Sequence, residues 1–277
     1  MIIATKKETF RILKEHNLIA KKGYGQNFLI NYETIKKITS GIEIKDSTLV
    51  IEIGPGLGAL TQELLNVSSK VVAIEIDKNM VEVLKDNLDT SKLEIINEDF
   101  LKVDLNKLIE DNNGFDEVVI VSNLPYYITT DILEKIISTN NKKIIKVVAM
   151  MQKEVGKKLV KKEDKIESYL KVLIDNYCKV KIVTYVGKND FEPRPNVDSI
   201  VLEFSLENDL YNLDQCYFEC LKECLKNRRK SIINTLPYEK EYILNKFELI
   251  GIKPTIRIEE LTILEFKSIL EELKQWK

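Results

Sequence analysis

Two stretches carry residues whose types and spacing could do chemistry. In "VIEIGPGLGALT", Gly54, Gly56 and Gly58 fall within five residues, after a β-branched run and before a helix-spaced one. Glycines there allow a tight turn and let a ligand approach the backbone, at the sheet end where α/β folds bind ligands. The Gly-x-Gly-x-Gly spacing breaks the dinucleotide fingerprint, and no Gly-Lys-Ser/Thr follows, so a P-loop is excluded. Glu75 closes a second apolar run 21 residues after Gly54 and can accept both hydroxyls of a ribose. Asp99, in "NEDF", closes a third; a carboxylate there can accept from an adenine amine, or simply cap a turn. The set describes a pocket for an adenosine without pyrophosphate, and S-adenosylmethionine fits it. The second stretch, "SNLPYYIT", puts Asn123, Leu124, Pro125 and Tyr126 at the end of a fourth apolar run. Amides and prolines weaken strands, and the tyrosine pair has no obvious core to fill. The plain alternative is a proline turn entering a helix.

The elements that must position these residues alternate along the chain. "STLVIEIG", "KVVAIEID", "KLEIINED", "DEVVIVSN" and "KKIIKVVAMM" read as strands, and "LGALTQELLN", "KNMVEVLKDNL", "TDILEKIIST" and "QKEVGKKLVKK" as helices. Such alternation predicts a parallel, doubly wound α/β sheet, and continuous apolar strands predict that both faces are covered. "CKVKIVTYVG" and "DSIVLEFSL" follow without an intervening crossover helix and are expected to add antiparallel strands at one edge. Residues 210–277 are helical and rich in Lys, Glu and Leu. The expected organisation is a domain over 1–207 and a small helical domain over 208–277.

Composition narrows the chemistry. The chain has 277 residues, 31% of them charged, with a net charge of −2. The overall balance does not predict a nucleic-acid partner, so any such partner must be held by local basic patches. His16 is the only histidine, which excludes a His-based zinc site and leaves Ser-His or Cys-His catalysis without a partner. Of four cysteines, Cys216, Cys220 and Cys224 share a helical face with Leu213, Tyr217, Leu221 and Leu225, and are expected in a core stripe rather than on a metal or cluster. Cys178 stands apart, no disulfide framework is suggested, and a reducing, cytoplasmic compartment is expected. No apolar run reaches membrane-spanning length, and no signal-peptide h-region is expected at the N-terminus.

At this point the sequence resembles the ribosomal RNA adenine dimethyltransferases, and among them the small-subunit type. The motifs "GYGQNFL", "EIGPGLGALT", "NLPY", "QKEV", "FEPRPNVDS" and "NRRKSI" occur in the family's order over nearly the whole chain. Tyr24 stands where the family usually has Phe, and "EVGKKL" carries lysines where an arginine is common. The resemblance implies a Rossmann-like class I methyltransferase sheet, mostly parallel with one antiparallel strand, followed by a helical RNA-recognition domain. It implies that Asn27, Leu29, Gly54, Glu75, Asp99 and Asn123 line the pocket for S-adenosylmethionine, with Gly56 and Gly58 completing the loop. It also implies a small-subunit rRNA or pre-small-subunit particle as partner. A monomer without metal is expected.

The resemblance gives "NLPY" a purpose. An adenine amine is a weak nucleophile because its lone pair is delocalised into the ring. It needs acceptors that favour a tetrahedral nitrogen rather than a strong base. The Asn123 side-chain oxygen can take one N–H, and a backbone carbonyl of Leu124 or Pro125 the other. Tyr126 supplies a stacking face, a contact worth ~1–3 kcal/mol. The family suggests Phe191 as the opposite face, with a core Phe before a proline turn as the alternative. Lys157 and Lys158 in a dense basic segment (157–165), and Arg228, Arg229 and Lys230 in "NRRK", are the expected phosphate contacts. Lys6, Lys7, Arg11, Lys21 and Lys22 add a basic N-terminal arm. The rival readings are a large-subunit dimethyltransferase of the antibiotic-resistance type and a non-catalytic RNA-binding factor. The Leu of "NLPY" and the "VDS" favour the small subunit, while Asn123 and the intact glycine loop argue for catalysis.

Overall fold

The structure, a computed structural model, describes all residues except 22, 24, 162–164, 208 and 275–277. In chain order its main elements are α1 (Lys6–Glu15), β1 (Phe28–Leu29), α2 (Tyr32–Ser40), β2 (Thr48–Ile53), α3 (Ala59–Val67), β3 (Lys70–Ile74), α4 (Lys78–Asn87) and β4 (Leu93–Ile96). These are followed by α5 (Leu105–Asp111), β5 (Glu117–Asn123), α6 (Thr129–Ser138), β6 (Ile144–Gln152), α7 (Lys153–Val160) and α8 (Tyr169–Tyr177). Last come β7 (Cys178–Val186), β8 (Phe191–Glu192), β9 (Ser199–Leu206), α9 (Gln215–Lys226), α10 (Lys240–Ile250) and α11 (Ile263–Lys274).

Seven strands form one sheet in the order β4-β3-β2-β5-β6-β9-β7. The β2–β3, β3–β4, β2–β5 and β5–β6 pairs are parallel, while β9 runs antiparallel to β6. Every residue of β2 is buried, as expected of a strand covered on both faces. The sheet is Rossmann-like, as the strand–helix alternation predicts. From β2 the chain winds outward through β3 and β4, then returns to the other side of β2 as β5. The order therefore reverses between β2 and β5, and in such sheets the ligand crevice lies at the carboxyl ends of the two strands flanking the reversal. The glycine loop follows β2, and Asn123 ends β5. Helix starts near this crevice are fixed by side chains: Asp77 accepts the Asn79 amide at α4, and Asn31 accepts the Glu33 and Thr34 amides at α2.

Three helices, α2, α5 and α8, fall where the sequence pattern suggested none. A separate two-stranded ribbon also forms, pairing Phe28 with Glu192 and Leu29 with Phe191. The chain divides into two compact units, one of residues Met1–Val160 and Lys179–Leu206, the other of Lys161–Cys178 and Glu207–Lys277. The expected boundary near 207 places 161–178 with the sheet. Instead Ile166 and Val172 of this segment share a buried cluster with Leu213, Leu221, Phe247 and Phe266. The amphipathic turns of α8 run directly into strand β7, which is why composition hides the division. Cys220 and Cys224 lie in the same cluster, with Cys216 packed against it. Burial pushes the Cys220 thiol up to about 12 and the Cys224 thiol to about 11, so both stay protonated at neutral pH. Among the described residues no helix is long and apolar enough to cross a membrane.

Helix α7 packs against β9 through Gly156, where an added Cβ would sit 2.3 Å from Ile200 Cγ2. Ile200 is fully buried and branched at Cβ, so it cannot swing away. Gly156→Ala is expected to destabilise the protein by ~1–3 kcal/mol through overpacking. This is opposite in sign to the gain of about 1 kcal/mol that the same change brings in an exposed helix. Urea unfolding checks it, and a variant as stable as the wild type would refute so close a packing.

Candidate active site

The cavity at the reversal point is lined by residues from the ends of β2, β3 and β5, by the turn after β4 and by the segment before β1. Leaving β2, the chain turns through glycines with positive φ. Gly54 lines the cavity at φ +67°, and an added Cβ would meet nothing within 4 Å. Its hydrogen therefore faces open space that a ligand can fill. Gly58 is different. It caps α3 in the left-handed region at φ +87° and does not line the cavity. An added Cβ would lie 2.9 Å from both Leu84 Cδ2 and Leu88 Cδ1. Gly58, expected among the cofactor-binding glycines, instead lets α3 approach Leu84 and Leu88, and the loop glycines that line the cavity are Gly54 and Gly56.

Glu75 fixes the loop. One carboxylate oxygen accepts the Gly56 amide at 3.1 Å and the other the Asp77 amide at 2.8 Å. Each oxygen keeps a further lone-pair direction for a hydroxyl. Burial raises the Glu75 pKa, and the amides of Asp77 and Gly56 oppose that rise. Asp77, a residue the sequence pattern did not single out, accepts from Lys21 Nζ at 2.9 Å and from Gln26 Nε2 at 3.1 Å. This anchors the segment that carries Asn27 and Leu29, both of which line the cavity. The signal available in the sequence was the N-cap pattern "IDKNM", which predicts a helix start and nothing more. Asp99 both caps and lines: its Oδ1 accepts the Leu101 amide at 2.9 Å, and its residue borders the cavity. Lys135 holds that turn by donating to the carbonyls of Leu101 and Val103 at 2.8 and 2.6 Å.

At the end of β5, Asn123 Nδ2 donates to the Asn27 carbonyl at 3.1 Å. Anchoring the nitrogen orients the carboxamide and leaves its oxygen as the acceptor. Pro125 turns the chain into α6, and its carbonyl accepts from the Ile128 amide and the Thr129 hydroxyl, at 3.2 and 3.1 Å. The Leu124 carbonyl accepts none of the hydrogen bonds recorded among the described residues. Of the two carbonyls considered, Leu124 is the one left to offer. Tyr126 lines the cavity, and its hydroxyl pairs with Ser199 Oγ at 2.6 Å. Burial raises its pKa, so it stays a neutral ring. For Phe191 the structure has the second of the two expectations, a core Phe before the proline turn, and not the stacking face. Phe191 is 2% exposed, packs in the apolar cluster that includes Leu29, Val121 and Val148, and does not line the cavity. Pairing with Leu29 in the β1–β8 ribbon draws its ring into the core.

The cavity's charge is one-sided. Glu52, Glu75, Glu98 and Asp99 line it, and no lysine, arginine or histidine does among the described residues. Outside it, Lys157, Lys158, Arg228, Arg229 and Lys230 are exposed. Lys157 lies 3.7 Å from Glu154, and Arg228 donates to the Glu167 carbonyl at 2.6 Å. The N-terminal arm is mostly paired: Arg11 with Glu8 and Glu15, Lys21 with Asp77, and Lys6 with Glu192. Lys7 is exposed, whereas Lys22 and Tyr24 lie outside the described residues, as do 162–164 of the basic segment.

The profile of one family, described as ribosomal RNA adenine dimethylase, matches residues 17–275. The chain belongs to this family. As a dimethylase it is similar to the ribosomal RNA small subunit methyltransferase A of Lachnoclostridium phytofermentans, 36% identical over 96% of this chain and 95% of the relative. The protein of the same description from Staphylococcus haemolyticus is 38% identical over 99% of this chain and 97% of the relative. Among solved structures, a dimethyladenosine transferase from Plasmodium falciparum superposes with a TM-score of 0.70. It is 26% identical, covering 89% of this chain and 97% of that one. Within the dimethylase site the two outer glycines have separable jobs. Both pay the left-handed penalty of about 1–2 kcal/mol when given a Cβ, but only Gly58 also collides with buried leucines. Gly58→Ala is expected to lower the thermal midpoint clearly further than Gly54→Ala. Equal midpoints would show that the α3–α4 packing tolerates the methyl.

Proposed function

We propose that this dimethylase transfers methyl groups from S-adenosylmethionine to the exocyclic amine of adenine in small-subunit ribosomal RNA, giving dimethyladenine during small-subunit maturation. The observation that carries the cofactor assignment is the acid-only lining of the cavity. S-adenosylmethionine is a cation without phosphate. A dinucleotide would bring a pyrophosphate against an acidic lining with no basic side chain among the described residues to meet it. At an effective dielectric of 20, each unit charge pair at 4 Å is worth on the order of 4 kcal/mol. The sign of the field therefore supports a cationic ligand. The small-subunit target rests on the relatives' names and on their coverage of the whole chain.

The residues present fit the cofactor. Glu75 would accept the ribose hydroxyls, Asp99 the adenine amine, and Gly54 leaves room beside the backbone, while Gly56 lines the cavity against the Phe28 ring. Asn27, Leu29 and Asn123 would close the amino-acid end. The cofactor supplies an electrophilic methyl on a sulfonium. The protein orients the nucleophile: Asn123 Oδ1 and the Leu124 carbonyl each accept one N–H of the target amine, which favours a tetrahedral nitrogen with its lone pair free. Tyr126, tethered through Ser199, offers the stacking face, and the target base enters only when unstacked from its helix. No basic side chain is required of the protein, because a nitrogen that gains positive charge loses its proton readily to water.

RNA recognition is assigned to Lys157 and Lys158 on one unit and to Arg228, Arg229 and Lys230 on the other, with the helical unit as an RNA-recognition domain. The pairing within the N-terminal arm removes much of its charge from that role. The protein is read as a monomer acting in a reducing cytoplasm.

Transfer from labelled S-adenosylmethionine to immature small-subunit particles is the deciding assay. Strong labelling there, and little on naked large-subunit RNA, is expected; the reverse preference would overturn the target. Asn123→Ala should lower turnover on the order of 10²-fold, the scale of losing one acceptor or donor aimed at developing charge, with far less effect on particle affinity. Near-wild-type turnover would sink its role. Replacing Arg228 and Arg229 by Ala should weaken particle binding and flatten the salt dependence, by about one slope unit per lost phosphate contact, while leaving cofactor affinity unchanged. An unaltered slope would remove these arginines from the interface.

A further inference from the structure

Glu52 is unused by the mechanism above, yet it is the most buried carboxylate of the cavity. It sits on β2 beside the glycine loop, is 1% exposed, and lines the cavity. Its Oε2 has no hydrogen-bond partner, and neither does the buried hydroxyl of Thr61 nearby on α3. In the sheet its neighbours are Ala73 on β3 and Val121 on β5, neither of them able to carry charge. The charged group that faces it is Glu75, which is of the same sign. Burying an unpaired carboxylate in such surroundings costs several kcal/mol, and a group so placed takes up a proton instead. Burial lifts its pKa to about 8; the nearby Thr61 hydroxyl, too poorly placed to count as a hydrogen bond, opposes this weakly, and Glu75 adds a smaller push. What would reverse this is a cation placed in the same cavity.

We propose that Glu52 carries a proton until the cofactor binds and releases it as the cationic cofactor enters the cavity, so that cofactor binding is coupled to the loss of a proton. The inference rests on the cofactor reading given above. No covalent step is involved: the carboxylic acid becomes a carboxylate, its proton goes to solvent, and the cavity gains the negative charge that balances the ligand. The orphaned oxygen and the absence of a basic lining residue among the described residues point to the same end. The site is built to meet positive charge, and it holds a proton when none is there.

The test is calorimetric titration of the full chain with S-adenosylmethionine, in buffers of the same pH but different ionisation enthalpy. At pH 7 close to one proton should be released per cofactor, falling to about a tenth at pH 9, as linkage requires of a group titrating near 8. Affinity should improve about tenfold per pH unit from pH 6 and level off above 8. Glu52→Gln keeps the shape and cannot ionise; it should bind with no proton release and no slope. A wild-type release near zero at pH 7, or a release that persists in Glu52→Gln, overturns the proposal while leaving the cofactor reading intact. Failure of the wild type to bind S-adenosylmethionine at any pH overturns that reading first. The cofactor-free protein gives a second readout. A folded-state pKa raised above the unfolded value of 4.5 contributes stability that is present below 4.5 and lost as pH climbs towards 8. The thermal midpoint of Glu52→Gln relative to wild type should therefore rise from pH 5 to pH 8 and then level off. A difference independent of pH counts against a protonated Glu52, and wild-type proton release alone decides the matter if the variant does not fold.

Discussion

The site depends on one buried carboxylate. Glu75 receives the Gly56 amide from the glycine loop and the Asp77 amide from its own turn, joining the ends of β2 and β3. Asp77 in turn accepts from Gln26 and Lys21, which fixes the approach to β1. That approach carries Asn27, whose carbonyl accepts the Asn123 amide at the end of β5. Four segments far apart in sequence are thus linked by charge-assisted and backbone hydrogen bonds around one cavity. Such bonds are roughly twice as strong as neutral ones, and in a low-dielectric wall they hold geometry that a loop alone would not. Glu75 therefore serves the fold and, in the proposed function, the ribose with the same two oxygens.

Charge is distributed at two scales that oppose each other. Globally the chain is near neutral, at −2, and that value speaks only to solubility and weak long-range steering. Locally the charged residues that line the cavity are all acidic among the described residues, while exposed basic residues stand on α7 and after α9. In the proposed function the pocket's carboxylates would meet a small cation and the surface lysines and arginines a polyanion, two ligands of opposite charge at separate places.

Much of this was legible in the sequence, and the failures have physical causes. The parallel strands were readable because each is a continuous apolar run closed by glycine, acid or amide; the place where their order reverses, between β2 and β5, is seen only in the structure. Gly54, Glu75, Asp99 and Asn123 were readable because each stands at a strand end. Gly58 was misjudged because a glycine needed for helix packing looks, in sequence, like one needed for a ligand. Phe191 stayed open between a stacking face and a core Phe because its burial depends on Leu29, 162 residues away, through a ribbon of two residues per strand that has no periodicity to detect. The same limit hid Asp77, whose partners come from the N-terminal segment, and the packing of 161–178 with the helical unit. Local pattern reports what a residue's neighbours in sequence require; it does not report which distant segment completes its contacts.

The "NLPY" stretch shows how the backbone itself makes an acceptor site. Buried polar groups of the main chain are nearly always paired, so what remains unpaired is informative. The Leu124 amide is spent on the Met150 carbonyl, extending the β5–β6 ladder by one bond. Proline at 125 contributes no amide at all. Its carbonyl is taken by Ile128 and Thr129 at the start of α6. The Asn123 amide nitrogen is held by Asn27. Among the described residues, the acceptors left over at the lip of the strand are the Leu124 carbonyl and the Asn123 side-chain oxygen. A donor in either place would compete for the amine's lone pair, which is the electron pair the methyl transfer requires. A proline, rather than any residue with an N–H, is therefore what keeps this turn electron-rich towards an incoming amine.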